Sequence, residues 1–344
     1  MKYRILGSSG LRVSEMILGA MTFGEQGGVG APLEECRRMI DVYAEAGGNV
    51  IDTAINYRGG QSEVTLGELL GSQRDQFVLA TKYGVTRDGS DPNASGSHRK
   101  NLRLSLETSL RRLKTNYIDL YWLHIHDRHT PVDETMRALD DAVTAGKVLA
   151  VGISDTPAWI VSRAMTLAEW RGWAPFVGLQ VEYSLLQRGV ERELLPMAEA
   201  YGLTVAAWSP LGGGVLSGKF TGPAGPEGKT RIAVDSISEA KLEIARTVDQ
   251  VAAELGVSSA QVAIAWVMSR SPLIHPMIGA RTVDQLKDNL GALSVELTPG
   301  ALATLDKASA IELGFPHDFN ASVRQWVFGA ADNDSVESRP VPRP

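Results

Sequence analysis

RKNLRLSLETSLRRLKTNYIDLYWLH, Arg99 to His124, holds in one stretch the two patterns that decide the fold. Over residues 99–114, leucines recur at Leu102, Leu106, Leu110 and Leu113, the three-and-four spacing of an amphipathic helix. Directly afterwards, Tyr117-Ile118-Asp119-Leu120-Tyr121-Trp122-Leu123 is almost wholly apolar and stops at His124. A short apolar run without alternation is what a strand covered on both faces needs, as in a parallel sheet. Parallel neighbours in turn need a crossover, normally a helix.

Outward from this stretch the pair repeats. Upstream lie Met16-Ile17-Leu18-Gly19, Asn49-Val50-Ile51-Asp52 and Phe77-Val78-Leu79-Ala80-Thr81-Lys82. Downstream lie Val148-Leu149-Ala150-Val151-Gly152-Ile153-Ser154 and Phe176-Val177-Gly178-Leu179-Gln180, then Leu203-Thr204-Val205-Ala206-Ala207-Trp208 and Leu273-Ile274-His275-Pro276-Met277-Ile278-Gly279. Helical patterns with their punctuation fall between: Pro32 opens one and Gly47-Gly48 closes it, and another over residues 132–145 ends at Gly146. Eight runs alternating with helices predict an α/β fold, a closed (β/α)8 TIM barrel. After the seventh run comes a Gly/Pro-rich loop, residues 211–235, and then two consecutive helices over 238–255 and 258–269. A further helix over 299–308 follows the eighth unit. Residues 1–330 are expected to form a single barrel domain. Residues 331–344, polar and proline-rich, are expected to be a disordered tail.

Composition narrows the function. The chain has 344 residues, 44% of them hydrophobic, enough for a large core. Its formal net charge is -6 and no basic stripe stands out, so a nucleic-acid partner is not expected. The single cysteine, Cys36, excludes an internal disulfide framework and a cysteine metal site. It shares a helical pattern with Met39, Ile40 and Tyr43 and reads as a core thiol. No long apolar stretch is present, so neither a membrane span nor a signal segment is expected, and the cytoplasm is the expected location.

The informative feature is where the runs stop. The second ends at Asp52, the third at Lys82, the fourth at His124 and the fifth at Ser154-Asp155; the sixth ends at Gln180 and the seventh at Trp208-Ser209. In such a barrel the C-terminal strand ends converge on the face that carries the chemistry. Tyr57 lies five residues past Asp52, in the loop above that face. Any one of these residues is ordinarily a solvated boundary or a helix cap; here four fall together in order. Reduction of a carbonyl by hydride needs a proton donor for the oxygen. Tyrosine, with an ordinary pKa near 10, is a weak donor at neutral pH, and a nearby ammonium stabilises the phenolate left behind. Lys82 would supply it, with Asp52 holding Lys82 charged and oriented. His124 would hydrogen-bond the carbonyl oxygen.

At these residues the chain resembles the aldo-keto reductase family. The resemblance is carried by Asp52-Thr53-Ala54-Ile55-Asn56-Tyr57, Leu79-Ala80-Thr81-Lys82, the run ending at His124, Gly152-Ile153-Ser154, Trp208-Ser209-Pro210-Leu211 and Gly279-Ala280-Arg281. It covers residues 3 to 290. It implies NADPH-dependent reduction of an aldehyde or ketone, with a catalytic tetrad at Asp52, Tyr57, Lys82 and His124, NADP(H) bound extended, and no metal. The loop after the seventh strand is similar to the family's cofactor-covering loop. The resemblance further implies that Ser154, Asp155 and Gln180 contact the nicotinamide carboxamide and that Trp208 stacks on its ring. Ser209, Leu211, Gly212 and Lys219 would line the pyrophosphate. Gly279, Arg281, Gln285, Asp288 and Asn289 would hold the adenosine end and its 2′-phosphate, with Arg281 at the start of a helix. Gly19 and Ala20 would touch the cofactor from the first strand. The chain departs from the family at Asp155, where asparagine is usual, and at His126, where tryptophan or proline is common. His126 is expected to face the substrate.

Two other readings stay open. His124-x-His126 with Asp127 and His129 has the two-residue spacing of a zinc pair on an extended segment, which would make a metal-dependent barrel hydrolase. An NADPH-sensing regulatory subunit would keep the cofactor without turnover. Gly228-Lys229-Thr230 ends like a phosphate-binding loop, but the required first glycine falls at Pro223. The partner is expected to be a small carbonyl compound. The loops at 21–30, 56–60 and 126–128 and the segment 315–328 mix aromatic, charged and small residues, which points to a moderately polar carbonyl such as a sugar without excluding aromatic aldehydes.

Overall fold

Each of the eight apolar runs forms a strand in the computed structural model, which describes residues 1–28, 30–222, 230 and 232–328. A hairpin precedes them: β1 (Tyr3–Ile5) pairs antiparallel with β2 (Arg12–Ser14). The runs become β3 (Ile17–Gly19), β4 (Val50–Asp52), β5 (Val78–Tyr83) and β6 (Ile118–Leu123), then β7 (Val148–Ser154), β8 (Phe176–Glu182), β9 (Thr204–Trp208) and β10 (Ile274–Ile278). All eight pair in parallel, each with the next, and β10 returns to β3 to close the barrel. The expected (β/α)8 barrel is the observed one.

Helices wrap the outside: α1 (Leu33–Glu45), α2 (Gln61–Leu70), α3 (Arg99–Leu113), α4 (Val132–Thr144), α5 (Ala158–Arg171) and α6 (Leu194–Ala200). The paired helices after β9 are α7 (Glu239–Leu255) and α8 (Ser259–Ser269), followed by α9 (Val283–Gly291) and α10 (Pro299–Ala308). Short α11 (His317–Ser322) and α12 (Arg324–Phe328) end the described chain. The α3 leucines read from the sequence are all buried against the wall, as is Cys36 with Met39, Ile40 and Tyr43. Burial pushes the Cys36 thiol up to about 11, which keeps it protonated and unreactive.

The barrel interior is packed, not open. Val50, Val78, Ala80, Leu120, Trp122, Ala150, Val177 and Ala206 fill it from the strands. Trp122 is the large piece, and two strand glycines admit it. A Cβ on Gly152 would lie 2.3 Å from the indole, and one on Gly178 2.9 Å from it. Leu6 and Val13, carried by the hairpin, close the N-terminal end of this core. The sequence reading has no hairpin here, because Tyr3 and Ile5 are about half exposed and each strand is too short for alternation to register. Asp119, the acid inside an apolar run, is structural: its Oδ2 accepts from Arg74 Nη2 at 2.6 Å and from the Leu79 N–H at 3.0 Å.

The loop after β9 begins with a tight turn over Gly212–Ser217. Pro223, Gly228 and Lys229 of the rejected phosphate-loop motif, and the whole 331–344 tail, lie outside the described residues. Among the described residues no single helix is long and apolar enough to cross a membrane.

Candidate active site

Three strand ends and one loop bring the candidate tetrad together. β4 ends in Asp52, the penultimate residue of β5 is Lys82, and His124 follows β6. Lys82 has a fully buried side chain, and Asp52 beside it is 2% exposed. Their ammonium and carboxylate are in direct contact. Lys82 Nζ also donates to the Thr53 carbonyl at 2.7 Å and reaches the Tyr57 hydroxyl at 3.3 Å. Burial alone would pull the lysine pKa down; Asp52 and Tyr57 outweigh it and hold it above the ordinary value. Lys82 thus faces the phenol with its ammonium form favoured.

Gln180 was expected at the nicotinamide carboxamide. Its Nε2 donates to Asp52 Oδ2 at 3.1 Å, so it braces the carboxylate that braces Lys82. Burial raises the Asp52 pKa, against the pull of Lys82 and Gln180.

The His124 ring stands edge-on to Tyr57, with centroids 5.8 Å apart and planes at 82°. Burial, and then the Lys82 ammonium, pull the His124 pKa down to about 3. The imidazole is therefore neutral and offers one N–H. An NMR titration should find His124 uncharged from about pH 5 to about pH 8, where an ordinary histidine would titrate. A His124 inflection near 6.5 would mean that neither burial nor the cation acts on the ring in this way.

The backbone around the mouth is unusual. Arg58, Asp155 and Ser209 have φ of +53°, +43° and +57°, although none is glycine. Left-handed non-glycine residues cost free energy and gather where a site needs them. At Asp155 the turn brings the carboxylate to Trp208, whose Nε1 donates to it at 3.2 Å. Burial raises the Asp155 pKa, with the indole pulling the other way. Beyond Ser209, Gly212, Gly213 and Gly214 all have positive φ, which glycine adopts without strain. The Gly213 N–H donates to Ser209 Oγ at 2.9 Å.

Several features at this mouth fit a dinucleotide. The Ser154 Oγ and His124 Nδ1 atoms are buried without a partner among the described residues. Lys219 crowds Gly214, where a Cβ would sit 2.8 Å from the ammonium. Burial, then Arg281, lowers the Lys219 pKa. Two cations that repel one another in a partly desolvated place are what an anionic ligand would relieve.

The adenosine-end residues are engaged in the fold. Arg281 does not begin the helix, as the sequence reading had it. α9 starts at Val283, and Thr282 is its N-cap because its side chain accepts from the Gln285 N–H. Gln285 Oε1 reciprocates with the Arg281 N–H at 3.0 Å. Arg281 thus sits just ahead of the cap, with its backbone pinned. Asp288 accepts from Ser258 Oγ at 3.0 Å and Gln261 Nε2 at 2.9 Å. Asn289 Nδ2 donates to the Gly279 carbonyl at 3.3 Å. The Ala20 N–H bonds the Asp52 carbonyl at 2.8 Å, and a Cβ on Gly19 would press on Met277 at 3.1 Å.

The zinc reading finds no support. Among the described residues no group of three or more His, Cys, Asp or Glu side chains is placed to hold a metal. Asp127 is spent on its own loop, accepting from Ser97 N–H, His129 N–H and Thr130 Oγ1. The sequence reading also missed Thr53 as an acceptor for Lys82. That contact comes from a main-chain carbonyl, which side-chain identity does not reveal.

The profile of the aldo/keto reductase family matches residues 15–310. The chain is 37% identical over 370 aligned residues to a norsolorinic acid reductase of Emericella nidulans, covering 99% of this chain and 93% of that protein. It is 36% identical over 329 residues to an aryl-alcohol dehydrogenase of Pestalotiopsis microspora, covering 92% and 85%. It is 37% identical over 333 residues to an aldo-keto reductase of Aspergillus calidoustus, covering 92% and 84%. A match over this much of the chain, with relatives this similar along most of their own length, means that the chain belongs to the aldo/keto reductase family, oxidoreductases that reduce carbonyls to alcohols and generally use nicotinamide cofactors.

Proposed function

We propose that the chain reduces an aldehyde or ketone to an alcohol with NADPH, and that Tyr57 gives the proton. The observation that carries this reading is the contact of a fully buried, carboxylate-paired Lys82 with the Tyr57 hydroxyl. When bound, NADPH supplies the hydride. Neutral His124 donates its N–H to the carbonyl oxygen and orients it. Tyr57 passes its phenolic proton to that oxygen, and the Lys82 ammonium stabilises the phenolate until solvent reprotonates it. Asp52 keeps Lys82 charged, and Gln180 keeps Asp52 in place.

The same reading assigns the cofactor's parts. Ser154 Oγ, buried without a partner, and Asp155 would meet the carboxamide, with Trp208 over the ring. The glycine turn, Ser209, Leu211 and Lys219 would take the pyrophosphate, and Arg281 the 2′-phosphate. The test is loss of NADPH absorbance with purified protein and a panel of aryl and sugar-like aldehydes and ketones. The aryl-alcohol dehydrogenase among the relatives is the reason for the aryl members. Turnover with any of them supports the reading, and NADPH binding without turnover would favour a sensor. Activity should survive chelator treatment; loss restored by zinc would revive the hydrolase.

His126 lies two residues past His124 and is half-buried at the mouth. His126→Ala should leave the NADPH Kd within about twofold and change kcat/KM unevenly, by about tenfold between the best and worst affected carbonyls. A uniform loss across the panel, or a collapse of NADPH affinity, would remove His126 from the substrate side.

A further inference from the structure

Among the buried ionisable side chains outside the tetrad, Glu63 packs against the tetrad's supports. Glu63, on α2 outside the barrel wall, has a side chain with no exposure. Its Oε1 accepts from Thr81 Oγ1 at 2.8 Å, and its Oε2 from Arg112 Nη1 at 3.2 Å. The same Arg112 nitrogen donates to the Ile55 carbonyl at 2.9 Å, and the Ile55 N–H donates to the Lys82 carbonyl at 3.2 Å. Thr81 immediately precedes Lys82, and Ile55 lies two residues before Tyr57. One carboxylate therefore grips the strand that carries the lysine and, through the arginine, the loop that carries the tyrosine.

Two glycines make room for this. A Cβ on Gly67 would lie 2.2 Å from the Arg112 carbonyl oxygen, so α2 and α3 approach closely there. A Cβ on Gly60, the last residue of the turn that Tyr57 opens, would lie 2.4 Å from the guanidinium carbon. Arg112 thus backs directly against the turn. Burying the Glu63 carboxylate completely, against an arginine whose side chain is 31% exposed, seldom gains stability over apolar packing, so packing alone does not account for it.

We propose that Glu63 and Arg112 are a positioning pair that holds the Tyr57 hydroxyl against the Lys82 ammonium. The proposal rests on Tyr57 being the proton donor. Neither residue touches the reacting atoms; both act through the backbone of the loop and the strand.

The test compares Arg112→Met, which keeps the length and removes the charged contacts, with Arg112→Lys, whose single nitrogen can serve both oxygens as Nη1 does. Single-turnover reduction, carbonyl KM, NADPH Kd and the solvent deuterium isotope effect are measured on each, beside Tyr57→Phe. Arg112→Met should lose about tenfold in rate, since small misplacements of catalytic groups cost rate steeply. KM and Kd should stay within about twofold, the isotope effect should grow, and Arg112→Lys should recover most of the loss. Wild-type rates in Arg112→Met, or a parallel fall of rate, KM and melting temperature that lysine does not rescue, would overturn the pair's role. Where Arg112→Met fails to fold, Thr81→Val, which removes one bond to Glu63, carries the same test. A several-fold rate loss at constant KM supports the proposal, and an unchanged rate overturns it. An active Tyr57→Phe would instead defeat the proton-donor reading. An inactive Tyr57→Phe beside a fully active Arg112→Met defeats the pairing alone.

Discussion

Tyr57→Phe should bind NADPH as the wild type does and lose ~10²–10⁴-fold in carbonyl reduction, the range a positioned general acid contributes. The substitution removes one oxygen and keeps the ring, so the edge-on contact with His124 persists. The ammonium of Lys82 keeps Asp52 and the Thr53 carbonyl as partners, so no buried charge is stranded. The loss therefore reports proton transfer and not collapse of the site. Fluorescence titration with NADPH and single-turnover reduction of one ketone separate binding from chemistry. Near-wild-type single-turnover rates would show that another group supplies the proton.

Arg281→Ala should weaken NADPH by about 10- to 150-fold, because a charged hydrogen bond contributes about 1.5–3 kcal/mol. NADH, which lacks the 2′-phosphate, should weaken far less. The backbone around residue 281 is held independently of its side chain: the Arg281 N–H bonds Gln285, and Thr282 caps α9. The alanine variant should accordingly fold normally. The influence of Arg281 on Lys219 adds a consequence: loss of one cation relieves the other, so Lys219 remains available for the pyrophosphate and both cofactors retain measurable affinity. Titrating both cofactors into both proteins decides the matter. Equal losses for NADPH and NADH would mean that Arg281 supports the adenine or the loop, and that the phosphate is met elsewhere.

Legibility differed from element to element for physical reasons. Barrel strands are covered on both faces, so they read as unbroken apolar runs, and each of the eight runs became a strand in the expected order. Helices with one buried stripe, such as α3, read clearly. α2 did not, because it buries Ser62, Glu63 and Thr65 alongside Leu66, Leu69 and Leu70, and polar residues on the inner face blur the period. In α5 the exposed Trp159 and Trp170 do the same from the outer face.

Asp52, Lys82 and His124 were legible as polar endings of apolar runs, and Tyr57 through its spacing from Asp52. The sequence by itself determined the closed barrel and the set of chemical groups at its mouth, since periodicity and strand endings are local properties. Tertiary structure alone decided how those groups are held: Gln180 on Asp52 from 128 positions away, Trp208 on Asp155, Arg112 bridging Glu63 to the Ile55 carbonyl, and the left-handed turns at Asp155 and Ser209. These are pairings between distant segments, and local periodicity carries no information about which side chain will meet which. Even Arg281 shows the division. Its place near a helix start was readable, but the choice of Thr282 as cap depended on a hydrogen bond that forms only once the helix is folded.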